Sequence, residues 1–239
     1  MRNMIEPAKT QRISAKGEAT RNQILDASEV LFAQSGYLGT SLRDIAQEAG
    51  VRMGLVHYHF GNKHLVLDAV LERKLDLLRD TIAASFARAE ENRAREKVAN
   101  ESDKPGLGPK LGLEQIVTAF ILPFLQSASR SDDPLRNYIV MTSHLMSSYR
   151  LPELRPILAK LSVVSQLLID RLRKYRPDIP ERELLAGIYL IEAALVFMVQ
   201  DPGFLDDISQ GHHSVARLED MAGPALRFFS GGLESLRAP

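Results

Sequence analysis

Between Thr40 and Lys63 the chain reads TSLRDIAQEAGVRMGLVHYHFGNK, and few folds accept that order of residues. Leu42, Ile45, Ala46 and Ala49 recur at helical spacing and form one apolar face. Thr40 or Ser41 supplies a hydroxyl able to cap the first turn. Gly50 stands where that helix ends and the chain must reverse, and glycine reaches the left-handed region without a side-chain clash. Val51 is an apolar plug. Residues 52–59 predict a second short helix with only Val56 and Phe60 turned to a core. Its other residues, Arg52, Met53, Leu55, His57, Tyr58 and His59, mix basic, aromatic and apolar types. Such a face suits contact better than bare solvent. Two short helices joined by a glycine turn describe a helix-turn-helix, whose second helix enters the DNA major groove. An ordinary helical hairpin has the same spacing, so spacing alone leaves both open.

The order of residues goes further. LFAQSGY (31–37), TSLRDIAQEAGV (40–51) and GLVHYHFGNKHLV (54–66) together resemble the N-terminal DNA-binding domain of the tetracycline-repressor (TetR) family of bacterial regulators. The resemblance covers about residues 18–75. It implies that Arg52, Met53, Leu55, His57, Tyr58 and His59 face double-stranded DNA. It further implies that Lys63 contacts the backbone and that Thr40, Ser41 and Arg43 reach phosphates or a base edge. Four positions depart from the usual pattern. Arg52 stands where a small capping residue is common, Leu55 replaces Thr or Ser, His57 replaces Tyr, and His64 replaces Glu. Met53 and Leu55 cannot donate to base edges, so part of the expected reading is apolar contact with thymine methyls.

Composition narrows the remaining classes. The 239 residues carry no net charge and no cysteine, which excludes a disulfide framework and a thiolate zinc site. Residues 1–23 hold Arg2, Lys9, Arg12, Lys16 and Arg21 against Glu6 and Glu18, a net of +3. Residues 1–17 are expected to be a flexible basic arm, either near phosphates or simply solvated. His57 and His59 lie two residues apart and point about 200° apart on a helix, so they cannot share a metal. No metal, cofactor or catalytic motif is expected: glycine-rich phosphate loop, G-x-S-x-G and H-E-x-x-H are all missing. The chain is not expected to be an enzyme. The apolar run Leu184–Val199 is shorter than the roughly 18–20 residues of a membrane span and contains Glu192. It reads as a buried helix, and the expected location is the cytoplasm, away from membranes.

The expected fold is all-α. A three-helix DNA-binding head spans residues 18–62 and a helical ligand-binding and dimerisation body spans 63–239. A first helix is expected over Glu18–Gln34 and a fourth from Asn62 or Lys63 past Leu78. Residues 100–112 form the clearest loop. Further helices are expected over Leu113–Ser127, Leu135–Tyr149, Pro152 to about Tyr175, Glu181–Gln200 and Ser214–Leu236, the last bent at Pro224. The resemblance implies a homodimer and a small apolar effector. Candidate pocket residues are Phe120, Phe124, Met141, His144, Leu145, Gln166, Tyr189 and Glu192, with ordinary core as the alternative for each. The implied mechanism is that of a repressor on a palindromic operator: the homodimer's heads are held at operator spacing, then shifted when effector binds the body. An activator, a regulator without effector, a helical enzyme with a vestigial head and a protein-interaction module are the rivals.

Overall fold

A computed structural model describes residues 15–99, 111–215 and 217–236. Among them the regular structure is helical, with no strand. The head comprises α1 (Ala15–Gly39), α2 (Leu42–Glu48) and α3 (Met53–Phe60). Residues 1–14 of the expected arm lie outside the described residues, but residues 15–17 belong to α1 rather than to an arm. Gly36, at φ +65°, breaks the path of α1 near its end and lets Tyr37 turn into the head's core. That core joins Ile24, Leu25 and Phe32 to Ile45, Ala46, Val56 and Phe60.

α4 (Lys63–Ala99) runs through 37 residues, about 55 Å at roughly 1.5 Å per residue. The charged stretch after Asp80 continues the same helix. Its buried stripe is Val66, Leu67, Val70, Leu71, Leu78, Ile82 and Phe86, whereas Leu65 is exposed. Of the expected 100–112 loop, residues 100–110 lie outside the described residues.

The body continues with α5 (Leu113–Ser129), α6 (Arg136–Met146), α7 (Arg155–Ala159), α8 (Ser162–Tyr175), α9 (Glu181–Gln200), α10 (Phe204–Ile208) and α11 (Ala222–Ser235), which follows a 3₁₀ turn over Leu218–Met221. The single long helix expected from Pro152 to Tyr175 is two helices. The break falls at Lys160 and Leu161, where tighter i→i−3 bonds replace the α pattern. The Lys160 ammonium is drawn there onto Asp68 and Glu72 of α4, at 2.6 Å from the latter. The bend expected at Pro224 does not form, because Pro224 lies in the first turn of α11, where its missing N–H costs no helical bond.

Three polar ties bind the head and body to α4. Glu29 of α1 is buried and accepts from Arg73 at 3.0 Å and Lys74 at 2.6 Å. Lys74 also donates to the Pro134 carbonyl at the approach to α6. The Tyr138 hydroxyl of α6 donates to the Leu71 carbonyl at 2.8 Å, and burial pushes its pKa up. Lys160 makes the third tie.

α9 buries Leu184, Ile188, Ile191, Leu195 and Val199 against α5, α6, α8 and α11. Gly187 permits the approach of α11: a Cβ there would lie 2.9 Å from Leu233. The other face is bare. Leu185, Ala186, Tyr189, Leu190, Ala193 and Phe197 are exposed and carry no charge. At 20 residues α9 is long and apolar enough to cross a bilayer, which the shorter run Leu184–Val199 did not suggest.

Candidate nucleic-acid interface and interior pocket

The outer face of α3 is held in place from behind. Ser41 caps α2: its Oγ accepts from the Asp44 N–H at 3.2 Å and donates to the Asp44 carboxylate at 2.6 Å. The same carboxylate accepts from the Ser41 N–H at 2.9 Å, completing a capping box and holding the Asp44 pKa down. Gly50 adopts φ +65°, as the turn requires. Val56 and Phe60 then anchor α3, and the Arg21 guanidinium lies over the Phe60 ring at 5.2 Å.

This leaves Arg52, Met53, Gly54, Leu55, His57 and Tyr58 exposed, with Tyr58 at 74%. His59 is half-buried and sits edge-on to Tyr58. Arg52 is the N-cap but makes no side-chain cap bond, so its guanidinium is not spent on the helix. Gly54 has nothing within 4 Å of a would-be Cβ, leaving backbone open to close approach. His57 Nδ1 lies 2.8 Å from the Gly61 carbonyl. A carbonyl only accepts, so that nitrogen carries the proton and Nε2 is left for other contacts. Arg43 is exposed beside this face on α2.

Two of the residues expected to contact DNA, Thr40 and Lys63, also make bonds inside the head. Thr40 is 3% exposed, and its hydroxyl proton serves the Gly36 carbonyl at 2.8 Å and that of Leu31 at 3.2 Å. It therefore fastens α1 to α2 rather than facing outward. Lys63 donates to the Tyr37 and Thr40 carbonyls at 2.8 and 2.9 Å and stands 4.1 Å from the Tyr37 ring centre. Desolvation pulls its pKa down. Its ammonium closes the end of α1, where unsatisfied carbonyls gather.

In the body, a small cavity of about 130 Å³ lies where α4, α5, α6, α8 and α9 meet. Phe120, Phe124 and Glu192 line it, as expected. The other candidates do not. Met141 and Leu145 are fully buried elsewhere, and His144 is not among the lining residues. Gln166 and Tyr189 are exposed on the outside of the body, because they lie on the opposite faces of α8 and α9. Leu78, Ile139, Met146, Val164 and Leu195 are among the other apolar residues of the wall, with Thr142, Ser143 and Ser165 as polar neighbours. Burial raises the Glu192 pKa, and a hydrogen bond from Ser165 partly offsets this. A larger hollow of about 510 Å³ between α4 and α5 is an open groove of mixed character, lined by Arg88, Asn92, Gln115 and Arg130 as well as Ala89, Leu122 and Pro123. None of the candidate residues faces it.

Sequence reading missed Glu29, whose partners lie 44 and 45 residues away, and Asp44 as the reciprocal half of the cap. The spacing S-x-x-D at 41–44 was a usable signal for the second.

Comparison with known proteins agrees with this geometry. A family described as "Bacterial regulatory proteins, tetR family" matches residues 24–70, and "Tetracyclin repressor-like, C-terminal domain" matches residues 118–232. The HTH-type transcriptional regulator TtgR of Pseudomonas putida is 39% identical over 62 residues, covering 26% of this chain and 30% of that protein. The HTH-type transcriptional repressor KstR2 of Mycobacterium tuberculosis is 33% identical over 67 residues, covering 28% and 34%. The chain thus spans about a third of the length of these relatives. Among solved structures, the fatty acid degradation regulator FadR from Bacillus halodurans superposes with a TM-score of 0.56 at 19% identity, covering 88% of this chain and 98% of that one. A tetR-family regulatory protein from Rhodococcus RHA1 superposes at 0.57 with 15% identity, covering 92% and 98%. With a DNA-reading head and a helical body each matched in its own right, the chain belongs to the TetR family of transcriptional regulators.

Proposed function

We propose that this regulator is a repressor that binds a palindromic operator as a homodimer and is released by a small, mostly apolar effector. The observation that carries the reading is the exposed outer face of α3, whose Arg52, Met53, Leu55 and Tyr58 project from a capped scaffold that does not use them. Arg43 and Arg52 supply donors for phosphates or guanine, the His57 Nε2 left free by the Gly61 bond can accept from a base amino group, and Met53 and Leu55 suit thymine methyls. Lys63 supports the site by tying the start of α4 to the end of α1 and to Thr40, just before α2. The bare apolar face of α9 supports pairing with a second copy, since a contiguous apolar patch of this kind marks an interface. A two-fold dimer sets its recognition helices about 34–36 Å apart, one turn of DNA. The pocket touches α4 through Leu78, so an occupant there acts on the helix that carries the head. Release then follows from the effector's preference for one of two head separations.

Selection of bound DNA from random oligonucleotides tests this with the full chain. The expected product is an inverted repeat with half-sites one turn apart and A·T pairs beneath Met53 and Leu55. Affinity for it should fall steeply with salt as phosphate contacts release counterions. Recovery of unrepeated sequence, or affinity indifferent to salt, would defeat the proposal. The small size of the cavity favours one rival, a regulator that needs no effector. Operator affinity unchanged across a metabolite panel would carry that rival instead.

A further inference from the structure

Glu192 is the one ionisable residue among those lining the pocket. It projects from α9 among Phe120, Phe124, Val164 and Leu195, and its polar neighbour is the Ser165 hydroxyl. No ion pair involves it among the described residues. A carboxylate left without a counter-charge in apolar surroundings is costly. The cavity also has a definite size. At about 130 Å³ it is close to the roughly 150 Å³ that accommodates one benzene ring, and below the roughly 300–1,000 Å³ of larger ligand sites. Phe120 and Phe124 stand 5.5 Å apart between ring centres and tilted, two aromatic rings on the pocket wall for an apolar group to pack on.

We infer that the effector is a small organic cation, a protonated amine bearing one ring-sized apolar group, with its ammonium on Glu192 and its apolar part against Phe120 and Phe124. This rests on the reading that the pocket is the effector site. An anionic ligand would meet like charge at Glu192. A purely apolar ligand would bury the carboxylate further and leave it unpaired. An ammonium supplies both the missing charge and the missing donors.

The test titrates 2-phenylethylammonium, 2-phenylethanol and 3-phenylpropanoate into the full-length protein and into Glu192→Gln by calorimetry. The ammonium should bind the unsubstituted protein at least tenfold more tightly than the alcohol, and the propanoate most weakly. Glu192→Gln should erase the ammonium's advantage and keep alcohol binding, which also reports that the variant is folded. A second arm follows the unsubstituted protein from pH 5 to pH 8. Burial raises the Glu192 pKa, so the free pocket keeps its proton to higher pH than a surface glutamate. The cation needs the carboxylate, so its affinity should rise with pH and stay flat in Glu192→Gln. Equal binding of ammonium and alcohol, or undiminished ammonium binding by Glu192→Gln, overturns the cation inference while the effector pocket stands. If none of the three probes binds either protein, the pocket reading falls and the inference with it.

Discussion

α3 and α9 each leave one face uncovered, and the two faces differ in chemistry. On α3 the exposed residues alternate among Arg52, Met53, Leu55, His57 and Tyr58, with cations and donors beside short apolar groups. On α9 the exposed positions from Leu185 to Phe197 are apolar or aromatic. Water tolerates the first face, which suits a wet, polyanionic partner that comes and goes. The second gains most by meeting a surface like itself and staying there. Burial behind each face differs too. α3 has eight residues and two buried ones, so capping and a glycine turn hold it, whereas α9 is anchored along 20 residues by packing.

Substitutions can break this comparison, and the largest effect belongs to α9. Leu190 is 64% exposed. If the proposed dimer forms through this face, Leu190→Glu should leave a monomer in sedimentation experiments and lower operator affinity by about 10²–10⁴-fold, because the second head no longer binds intramolecularly. A variant that stays dimeric would show that the apolar face has another use. Next in size is Arg43→Ala. It should weaken operator binding by about tenfold and reduce the salt slope by about 1, with thermal stability unchanged. An unaltered slope together with relaxed choice at one base would move Arg43 from phosphate contact to base reading. The smallest effect tests the scaffold behind α3. Lys63→Met removes two charge-assisted bonds to carbonyls and should cost about 1–2 kcal/mol in denaturant unfolding, with the salt slope retained. Loss of slope in Lys63→Met would return Lys63 to the DNA backbone.

The head was legible from sequence because its determinants are local. Ser41, Gly50, Val56 and Phe60 act within a few residues of themselves, through caps, turn geometry and helical period. The bonds that Thr40 and Lys63 make inside the head were not read from the sequence. Each has a polar group suited to phosphate; Thr40 bonds back to Gly36 four residues earlier, whereas only the fold brings Lys63 to the C-terminal end of α1, 26 residues away. In the body, the apolar helices were visible but their facing was not. α9 is apolar nearly all round, so period alone could not put Tyr189 outside and Glu192 inside. Phe120 and Phe124 lie one turn apart on α5, and that spacing placed both on the pocket wall. The division of the helix expected from Pro152 to Tyr175 falls where Lys160 meets two acids 88 and 92 residues away, contacts that no local pattern shows.

The outer residues of α3 hold nothing up. Arg52 makes no cap bond, a side chain at Gly54 would meet nothing within 4 Å, Tyr58 projects into solvent, and Met53 and Leu55 are partly exposed. Gly50, fixed at φ +65°, and the Ser41–Asp44 box have no such freedom. Inheritance therefore meets two regimes a few residues apart. Mutations at the first set are nearly free of folding cost, so a descendant can acquire a new address on the chromosome in a step or two. Mutations at the second set are purged before any new address is tried.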